Sequence, residues 1–581
     1  MNRRVLLIGG TGVFGERLAQ HLCPLGGIDL IVTSRNELKA RQLAARLVQA
    51  HPFASVSAIQ LDHRHNLESR LHEVKPFIVI DCSGPFQSAD YAVAETVLAA
   101  GVHMIDLADA RGYLKGYAGA LDQIARQRGS VGLAGASSTP ALSASAVRAL
   151  SRGWQRVDSI DICIAPGGKS EVGRAVISAI MSYAGREIPV WREGRLSQAH
   201  GWLGSRSVIM PELGKRRVAP VETLDAELLG PRHAVTSRVR FAAGLESRLE
   251  QYGMQLVARL VKAGLLRRPG GLIPLLLGVR NLTRLTTSDR GGMSVEIKGL
   301  DGQGKFAKAC YSLVAKQGHG PNVPVLPAAA AVKAVLRGRI EPGAQLAERA
   351  LSLPEIEAEM APYSIETETR HVSFGTGIFE ENLGREAFEM MPAALRTLHG
   401  HAGVPVWSGR SQVKAAGWFL PRLLAKLFGF PAGGSKIPVT VTVDRDVSED
   451  GSNRETWVRN FSGQRFSSVL QHHEDGTFRE TLGLFSFQLG LAADRESLVM
   501  PVTGWKLGAL PLPRFLAPRS RTREYEDELG RFCFDVELTF PVLGLFAHYR
   551  GWLMPGISAP ATVVATRRNM AAQSSSPKSD T

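Results

Sequence analysis

The chain is poor in cysteine, and no two of its cysteines stand in a Cys-x-x-Cys spacing. Closely spaced cysteine pairs are typical of structural zinc sites, and dense cysteines are typical of small secreted proteins held by disulfides. The histidines also lack the i, i+4 helical spacing with a glutamate that a zinc protease carries. We therefore predict a reducing compartment and no metal site. The five cysteines among 581 residues are Cys23, Cys82, Cys163, Cys310 and Cys533.

Long hydrophobic runs are also missing. None reaches the roughly 18 apolar residues that a membrane-spanning helix needs. The first strand pattern starts within a few residues of Met1, so we expect no secretory leader. The expected location is the cytoplasm, either free or at the periphery of a membrane.

Acidic residues are absent from 251–288, although the same stretch surrounds the apolar segment Leu272–Val279 with cations. A second basic and apolar stretch without acidic residues runs from Met390 to Val443, and the whole chain has a net charge of +15. Such segments suit the surface of an anionic membrane. The alternative is a pair of core helices whose long cationic side chains reach solvent. The cations of the first stretch are Arg259, Lys262, Arg267, Arg268, Arg280 and Arg284.

Nucleic acid is a further candidate partner for a basic chain. No zinc-finger, basic-zipper or RNP-like pattern with interleaved aromatic residues accompanies the charge. We therefore expect no nucleic-acid partner.

The clearest positive signal is a glycine-rich turn at the N-terminus, between a strand pattern that ends at Ile8 and a helix pattern that follows. Gly10 permits a tight turn, Gly12 lets the backbone approach a diphosphate, and Gly15 lets the helix pack on the strand. The diphosphate would lie at a helix N-terminus, where unpaired N–H groups favour an anion. The residues predicted to bind the dinucleotide here are Gly9, Gly10, Thr11, Gly12, Val13, Phe14 and Gly15.

The second strand pattern, Asp29–Thr33, ends in Ser34, Arg35 and Asn36. A site that prefers NAD usually carries a carboxylate here for the ribose hydroxyls. This chain carries a guanidinium, which binds phosphate oxygens in a bidentate manner. The substitution favours NADP(H) as the cofactor, and the alternative is that Arg35 is an ordinary solvated residue.

Strand and helix patterns alternate through the first 150 residues, which predicts an α/β fold with a parallel, doubly wound sheet. Ligands of such sheets lie at the carboxyl ends of the strands. We therefore expect Asp62 near the adenine, and Ser83, Gly84, Pro85 and Phe86 near the ribose and nicotinamide.

No catalytic residue can be named from the sequence. Asp109, Tyr113 and Lys115 follow the fifth strand and could reach the nicotinamide end. Roles as surface or helix-capping groups suit them better, and the same holds for Asp106.

Four segments together resemble the saccharopine dehydrogenase-like (saccharopine reductase-like) family, over about residues 1–345. They are the glycine turn, Ser34–Asn36, the turn Ser83–Phe86 and the segment His103–Asp109. The resemblance implies a Rossmann domain and then an α+β domain that carries substrate and dimer contacts, hence a homodimer. It also implies that the chain then returns to the first domain. The amino-acid-binding residues of true saccharopine enzymes are not matched, so lysine metabolism is not implied.

The C-terminal third contains successive strand patterns separated by polar turns, which predicts a mainly antiparallel α+β domain. Its segments Leu395–Gly400, Trp457–Phe461 and Tyr549–Gly551 resemble an uncharacterised domain family that is often fused to saccharopine dehydrogenase-like domains. That family has no assigned activity.

These patterns predict an NADP(H)-dependent oxidoreductase with a small-molecule substrate, an apolar or lipid-like carbonyl or enoyl compound. The alternative is a nucleotide-binding protein without catalysis, whose C-terminal domain binds lipid or a partner. The expected division is a Rossmann domain at 1–140, a substrate and dimerisation domain at 141–320, a helix returning to the Rossmann domain at 321–345, a linker at 346–385, a C-terminal domain at 386–560 and a disordered tail at 561–581.

Overall fold

Two compact units make up the chain. Unit 1 contains Met1–Glu389, Arg396–Pro405 and Asp444–Glu455, and unit 2 contains Met390–Leu395, Val406–Val443 and Thr456–Thr581. The tail at 561–581 and much of the basic stretch between 417 and 429 lie outside the described residues. The computed structural model describes residues 2–171, 173–416, 419, 422–423, 425, 430–431, 433–447, 452–473, 477–541 and 544–556.

Strands and helices are numbered along the chain. The strands are β1 (Arg3–Ile8), β2 (Ile28–Ser34), β3 (Ser55–Gln60), β4 (Ile78–Asp81), β5 (His103–Asp106), β6 (Val131–Ala134), β7 (Arg156–Ala165), β8 (Glu187–Arg192), β9 (Arg195–His200), β10 (Arg206–Met210), β11 (Gly214–Pro220), β12 (Arg238–Ala243), β13 (Gly291–Leu300), β14 (Phe306–Ala315), β15 (Gly343–Leu346), β16 (Ile365–Ser373), β17 (Val406–Ala415), β18 (Gly434–Val447), β19 (Asn453–Phe461), β20 (Gln464–His472), β21 (Phe478–Leu482), β22 (Phe485–Leu489), β23 (Ala492–Ala493), β24 (Ser497–Val499), β25 (Val502–Leu507), β26 (Leu510–Pro511), β27 (Arg519–Glu526), β28 (Phe532–Phe540) and β29 (Gly544–Pro555). The helices are α1 (Val13–Leu22), α2 (Glu37–Ala50), α3 (Leu67–Val74), α4 (Ala92–Ala99), α5 (Arg111–Arg128), α6 (Ser143–Leu150), α7 (Arg174–Tyr183), α8 (Asp225–Arg232), α9 (Arg248–Lys262), α10 (Ile273–Thr283), α11 (Leu326–Leu336), α12 (Ala347–Ala350), α13 (Leu353–Ala358), α14 (Ile378–Leu383), α15 (Arg385–Met390) and α16 (Ala393–His399).

The first sheet of unit 1 is parallel and has seven strands in the order β15-β6-β5-β4-β1-β2-β3. Val5 to Ile8 of β1 are at most 1% exposed, as expected of a strand covered by helices on both faces. Strand order reverses between β1 and β4, so a crevice opens at their carboxyl ends. The predicted Rossmann sheet is confirmed.

Alternation along β1 distributes its side chains between two cores. Val5 and Leu7 pack with Leu18 of α1 and Val332 of α11. Leu6 and Ile8 belong to the other core, which α3, α4 and α5 supply. A helix from residues 326–336 therefore completes the core that the N-terminal residues begin.

The second sheet of unit 1 is mixed, and it confirms the predicted α+β class of this region. Its main path is β10-β11-β12-β7-β13-β14-β16, while β8 pairs with β12 and β9 pairs with β8. β12 and β7 run parallel, and the flanking pairs are antiparallel. After β14 the chain passes through α11 and enters the first sheet as β15, beside β6.

The expected linker at 346–385 is corrected by the structure. It contains three helices and β16, which pairs with β14 from Ala315↔Ile365 to Ala307↔Ser373. β16 is an edge strand whose side chains are mostly exposed, so its glutamates face solvent.

Unit 2 contains a 13-stranded antiparallel sheet in the order β23-β24-β27-β28-β29-β17-β18-β19-β20-β21-β22-β25-β26, which confirms the predicted class of the C-terminal region. Aromatic rings fill part of its core: Phe461 stacks on Phe466 with centroids 6.0 Å apart, and Phe430 stacks on Phe466 at 4.3 Å. Among the described residues, no helix is both long and apolar enough to span a bilayer.

A buried carboxylate on β7, Asp161, collects three guanidiniums in unit 1. Its oxygens lie 3.0 Å from Arg206, 2.9 Å from Arg238 and 2.9 Å from Arg240. Burial alone would raise the pKa of Asp161, but the three cations hold it well below its ordinary value. Each charge therefore compensates the desolvation of the others.

The same cluster fixes the start of the segment 444–455. Arg238 also contacts Asp444 at 2.8 Å, and the buried Lys298 on β13 contacts Asp446 at 2.9 Å. Because these ions are largely shielded from water, removing one partner leaves uncompensated charge.

Asp161→Asn is expected to destabilise unit 1 by about 3–5 kcal/mol, because three partly buried guanidiniums lose the buried anion that they share. The free energy of unfolding is measured by urea titration. The control is Glu37→Gln, which breaks an exposed pair with Arg41 and should cost at most about 1 kcal/mol. Equal losses in the two variants would contradict the assignment.

Candidate functional site

The glycine turn joins β1 to α1 with no room for side chains. A Cβ on Gly15 would lie 2.2 Å from the Gly9 carbonyl oxygen, and one on Gly10 would lie 2.4 Å from Val32 Cγ1. Gly9 itself has a φ of 71°, in the left-handed region that favours glycine. The helix N-cap is Gly12, which offers no capping side chain. The first N–H groups of α1 are therefore open to an anion.

The end of β2 lies beside this turn. Thr11 Oγ1 donates to Ser34 Oγ at 3.1 Å, and the Asn36 side chain caps α2 by accepting from Lys39 N at 3.1 Å. Arg35 is exposed, and its backbone carbonyl accepts a hydrogen bond from Gln60 Nε2 at 2.9 Å. Within the described part of the chain, no carboxylate pairs with the Arg35 guanidinium.

The turn after β4 forms the other wall. Asp81 Oδ1 accepts from Ser83 N at 2.8 Å, and a Cβ on Gly9 would lie 2.9 Å from Ser83 Cα. The Gly84–Pro85 peptide is cis. Phe86 is buried, with its ring centroid 5.4 Å from that of Tyr113. The glycine turn and the Ser83–Phe86 turn therefore adjoin at the point where strand order reverses.

Asp62 stands apart from this group. It follows β3, which lies two strands from β1 in the sheet order. Its carboxylate accepts from Arg64 N at 3.2 Å and contacts His65 Nδ1 at 3.1 Å. The bond from the Arg64 N–H lowers the pKa of Asp62. The side chain thus stabilises its own loop.

Asp106 has a structural role that the sequence did not indicate. It is fully buried, and its Oδ1 accepts from Gly135 N at 2.8 Å and from Ala108 N at 3.0 Å. Its Oδ2 accepts from the Tyr113 hydroxyl at 3.2 Å. Burial raises the pKa of Asp106 to about 7. The carboxyl group therefore ties the end of β5 to the crossing after β6.

The second domain reaches this crevice through α7. This helix packs against residues 86–88, and just before it Glu171 forms an ion pair with Arg17 of α1 at 3.0 Å. A Cβ on Gly173 would lie 3.7 Å from Val13 Cγ2. The start of α7 therefore lies beside the glycine turn.

Three titratable side chains are close enough here to interact electrostatically. Asp109 is exposed, and its carboxylate accepts a hydrogen bond from Gln87 Nε2 at 3.2 Å. Burial nevertheless raises the pKa of Asp109. This combination is expected of a carboxylate at the floor of a cleft. Burial also raises the pKa of Tyr183 and of Glu222, and the charge of Asp109 raises both further. The proximity of Tyr183 and Glu222 to Asp109 could not be predicted, because they come from a different domain and share no motif with Asp109.

Chemically, the crevice combines an anion site at a helix N-terminus with groups that can hold and release a proton. Among the described residues, no three His, Cys, Asp or Glu side chains gather as a metal site.

Two family models match the chain. Residues 5–133 match the saccharopine dehydrogenase NADP binding domain, and residues 391–553 match a domain of unknown function, DUF4166. The resemblance of the N-terminal region is confirmed, and the C-terminal region is a domain of a family without assigned function. No curated protein matches the chain.

Solved structures with similar folds include an apo histidine-tagged saccharopine dehydrogenase (L-Glu forming) from Saccharomyces cerevisiae. It is 15% identical, with a TM-score of 0.46, over 64% of this chain and 100% of that chain. A short-chain dehydrogenase from Sphingobium yanoikuyae in complex with NADPH is 22% identical, with a TM-score of 0.17, over 19% of this chain and 56% of that chain.

Asp106→Asn is expected to flatten the pH dependence of stability between about pH 4 and pH 7. The folded state holds a proton on Asp106 up to about pH 7, whereas the unfolded state releases it near the ordinary value of 3.8. Wild-type stability must therefore fall across this interval relative to the variant. Urea midpoints at several pH values measure the difference.

The control is Asp122→Asn. The hydrogen bond from Arg126 lowers the pKa of Asp122, so this change should not produce the flattening. Parallel pH profiles for wild type and Asp106→Asn would contradict the role of the buried carboxyl.

Proposed function

We propose, from the premise that the chain opens with a saccharopine dehydrogenase NADP binding domain, that the protein is an NADP(H)-dependent oxidoreductase. The observation that carries this proposal is the junction of the glycine turn with the Ser83–Phe86 turn, where strand order reverses. Dinucleotides bind at such a point in doubly wound sheets.

The cofactor would be held by residues from four strand ends. The N–H groups of residues 13–15 would bind the diphosphate at the start of α1. Ser34 would bind the 2′-phosphate together with Arg35, whose guanidinium pairs with no carboxylate within the described residues. This phosphate distinguishes NADP(H) from NAD(H). The turn Ser83–Phe86 would support the nicotinamide end, and Asp62 would lie toward the adenine. Bound NADPH supplies a hydride at its nicotinamide ring.

The substrate would enter the cleft between the first sheet and α7. Helix α7, which packs against residues 86–88, carries the ring of Tyr183, and an aromatic side chain there would suit an apolar or lipid-like carbonyl or enoyl compound. When a carbonyl carbon accepts a hydride, its oxygen must accept a proton. We assign that proton to Asp109, because burial raises its pKa and its carboxyl group stays accessible in the cleft.

The proposal also includes a homodimer, a cytoplasmic location and contact with an anionic membrane. An apolar substrate is concentrated in membranes, so an enzyme that reduces one gains from binding at the bilayer surface.

NADPH oxidation, followed by its absorbance, is expected with at least one member of a panel of carbonyl and enoyl compounds that includes lipid extracts. Asp109→Asn should lower kcat by about 100-fold or more, because a positioned proton donor contributes about that much. The dissociation constant for NADPH should be unchanged. The control is Asp90→Asn, which alters an exposed carboxylate shortly after the Ser83–Phe86 turn. NADPH binding without turnover of any compound would favour a nucleotide-binding protein without catalysis.

Arg35→Ala is expected to weaken NADPH binding by about 2 kcal/mol, or roughly 30-fold, through loss of a charge-assisted contact. Binding of NADH should be unchanged, because it has no 2′-phosphate. Isothermal titration of both nucleotides measures this. Arg41→Ala is the matched control, since Arg41 is an exposed guanidinium already paired with Glu37 at 2.6 Å. Equal affinity of the wild type for NADPH and NADH would contradict the role assigned to Arg35.

A further inference from the structure

Helix α9 carries an exposed apolar stripe on the side away from the core. Leu249, Tyr252 and Leu256 are 61%, 51% and 55% exposed. Their spacing of three and four residues puts them on one helix face. Met254, Val257 and Ala258 face the core instead. The helix is thus apolar on two sides, only one of which is covered.

Helix α10 repeats this arrangement. Leu272, Ile273, Leu276 and Leu277 pack on the core. Leu275, Leu282 and the following Leu285 are 63%, 66% and 80% exposed. The alternative of two core helices with cations reaching solvent does not describe these helices, because the leucines themselves face water.

The two stripes lie on neighbouring helices. Arg280 of α10 contacts Glu250 of α9 at 3.3 Å, which holds the helices side by side. Leu265, in the connection between them, is also exposed. Exposed apolar patches of this kind mark interaction sites on otherwise soluble surfaces. The α9–α10 face is defined as Leu249, Tyr252, Leu256, Leu265, Leu275, Leu282 and Leu285.

Exposed cations lie along the same part of the chain, in the stretch 251–288 that contains no acidic residue. Arg259, Lys262, Arg267, Arg268 and Arg284 are exposed. Within the described residues, none of these five pairs with a carboxylate. The sixth cation of the stretch, Arg280, is buried and neutralised by Glu250. The α9–α10 segment therefore combines exposed apolar side chains with exposed cations.

A shallow groove of about 440 Å³ lies at the end of α9. Arg186, His200, Lys262 and Arg267 line it, with Glu187 as its one acidic residue. Cationic side chains at the border of an apolar surface match the arrangement of lipid phosphates above acyl chains.

The α9–α10 face is also close to the proposed cleft. Helix α7 packs against residues 86–88 and also against residues 269–283. A single helix therefore separates this face from the turn that would support the nicotinamide.

We propose that the α9–α10 face docks on an anionic phospholipid bilayer, with its leucines at the acyl boundary and lipid phosphates at Lys262 and Arg267. The inference rests on the membrane contact included in the proposed function, but it requires no bound nucleotide. A second copy of the chain is the less suitable occupant, because a two-fold contact would place like cations against each other.

Vesicle sedimentation tests the proposal with the full-length protein. It should sediment with phosphatidylcholine vesicles that contain phosphatidylserine, and not with phosphatidylcholine alone, at low salt. Binding should weaken in 1 M salt, because the Debye length falls from about 10 Å at 0.1 M to about 3 Å. Lys262→Ala and Arg267→Ala should each lower the partition constant about fivefold, as expected for one cation near an anionic surface. Arg41→Ala, an exposed cation on α2, should leave it unchanged.

The double variant Leu275→Ser/Leu282→Ser tests the apolar contribution. It should lose vesicle binding while keeping its thermal midpoint and its NADPH affinity. Failure of the wild type to bind anionic vesicles at low salt, or unchanged binding by this variant, overturns the docking proposal. A shift from dimer to monomer in the variant with unchanged vesicle binding would assign the face to a second copy. If the wild type binds anionic vesicles but does not bind NADPH, the oxidoreductase proposal alone is overturned.

Discussion

Steric exclusion at the glycine turn is the constraint on which the first domain depends. Gly9, Gly10 and Gly15 let the end of β1 approach the turn after β4, the end of β2 and the start of α1 at distances that a Cβ would forbid. Three backbone segments and a helix terminus therefore converge on one small volume. Any larger residue would push these elements apart and close the anion site, so binding geometry and folding geometry share one requirement.

Electrostatic partners separate the structural arginines of unit 1 from those available for binding. Arg206, Arg238 and Arg240 are committed to Asp161. Arg35 has no such carboxylate within the described chain. A cation already compensated by a buried anion gains little from a phosphate, whereas a solvated guanidinium at a strand end gains charge-assisted hydrogen bonds. The local partner, more than the residue type, decides which arginine can recognise a ligand.

Local sequence signals predicted the parts of the fold that depend on neighbouring residues. The glycine turn, the alternating strands and helices, and the antiparallel class of the C-terminal region follow from short-range pattern. Features set by distant residues were not predictable in this way. Strand β16 was expected to be part of a linker, because its pairing partner β14 lies about 50 residues earlier in the chain. Burial of Asp106 depends on Gly135 and Tyr113, and Tyr183 and Glu222 come from parts of the chain far from Asp109 in the sequence.

The strand β15 has a consequence for the order of biosynthesis. It occupies the edge beside β6, and α11 covers one face of the sheet, yet both emerge from the ribosome some 200 residues after β6. Until then, the N-terminal sheet has an open edge and part of its core exposed to solvent. A nascent chain in that condition is a ready substrate for chaperones and for strand pairing between neighbouring polypeptides. The second domain must therefore be synthesised before the first can finish folding.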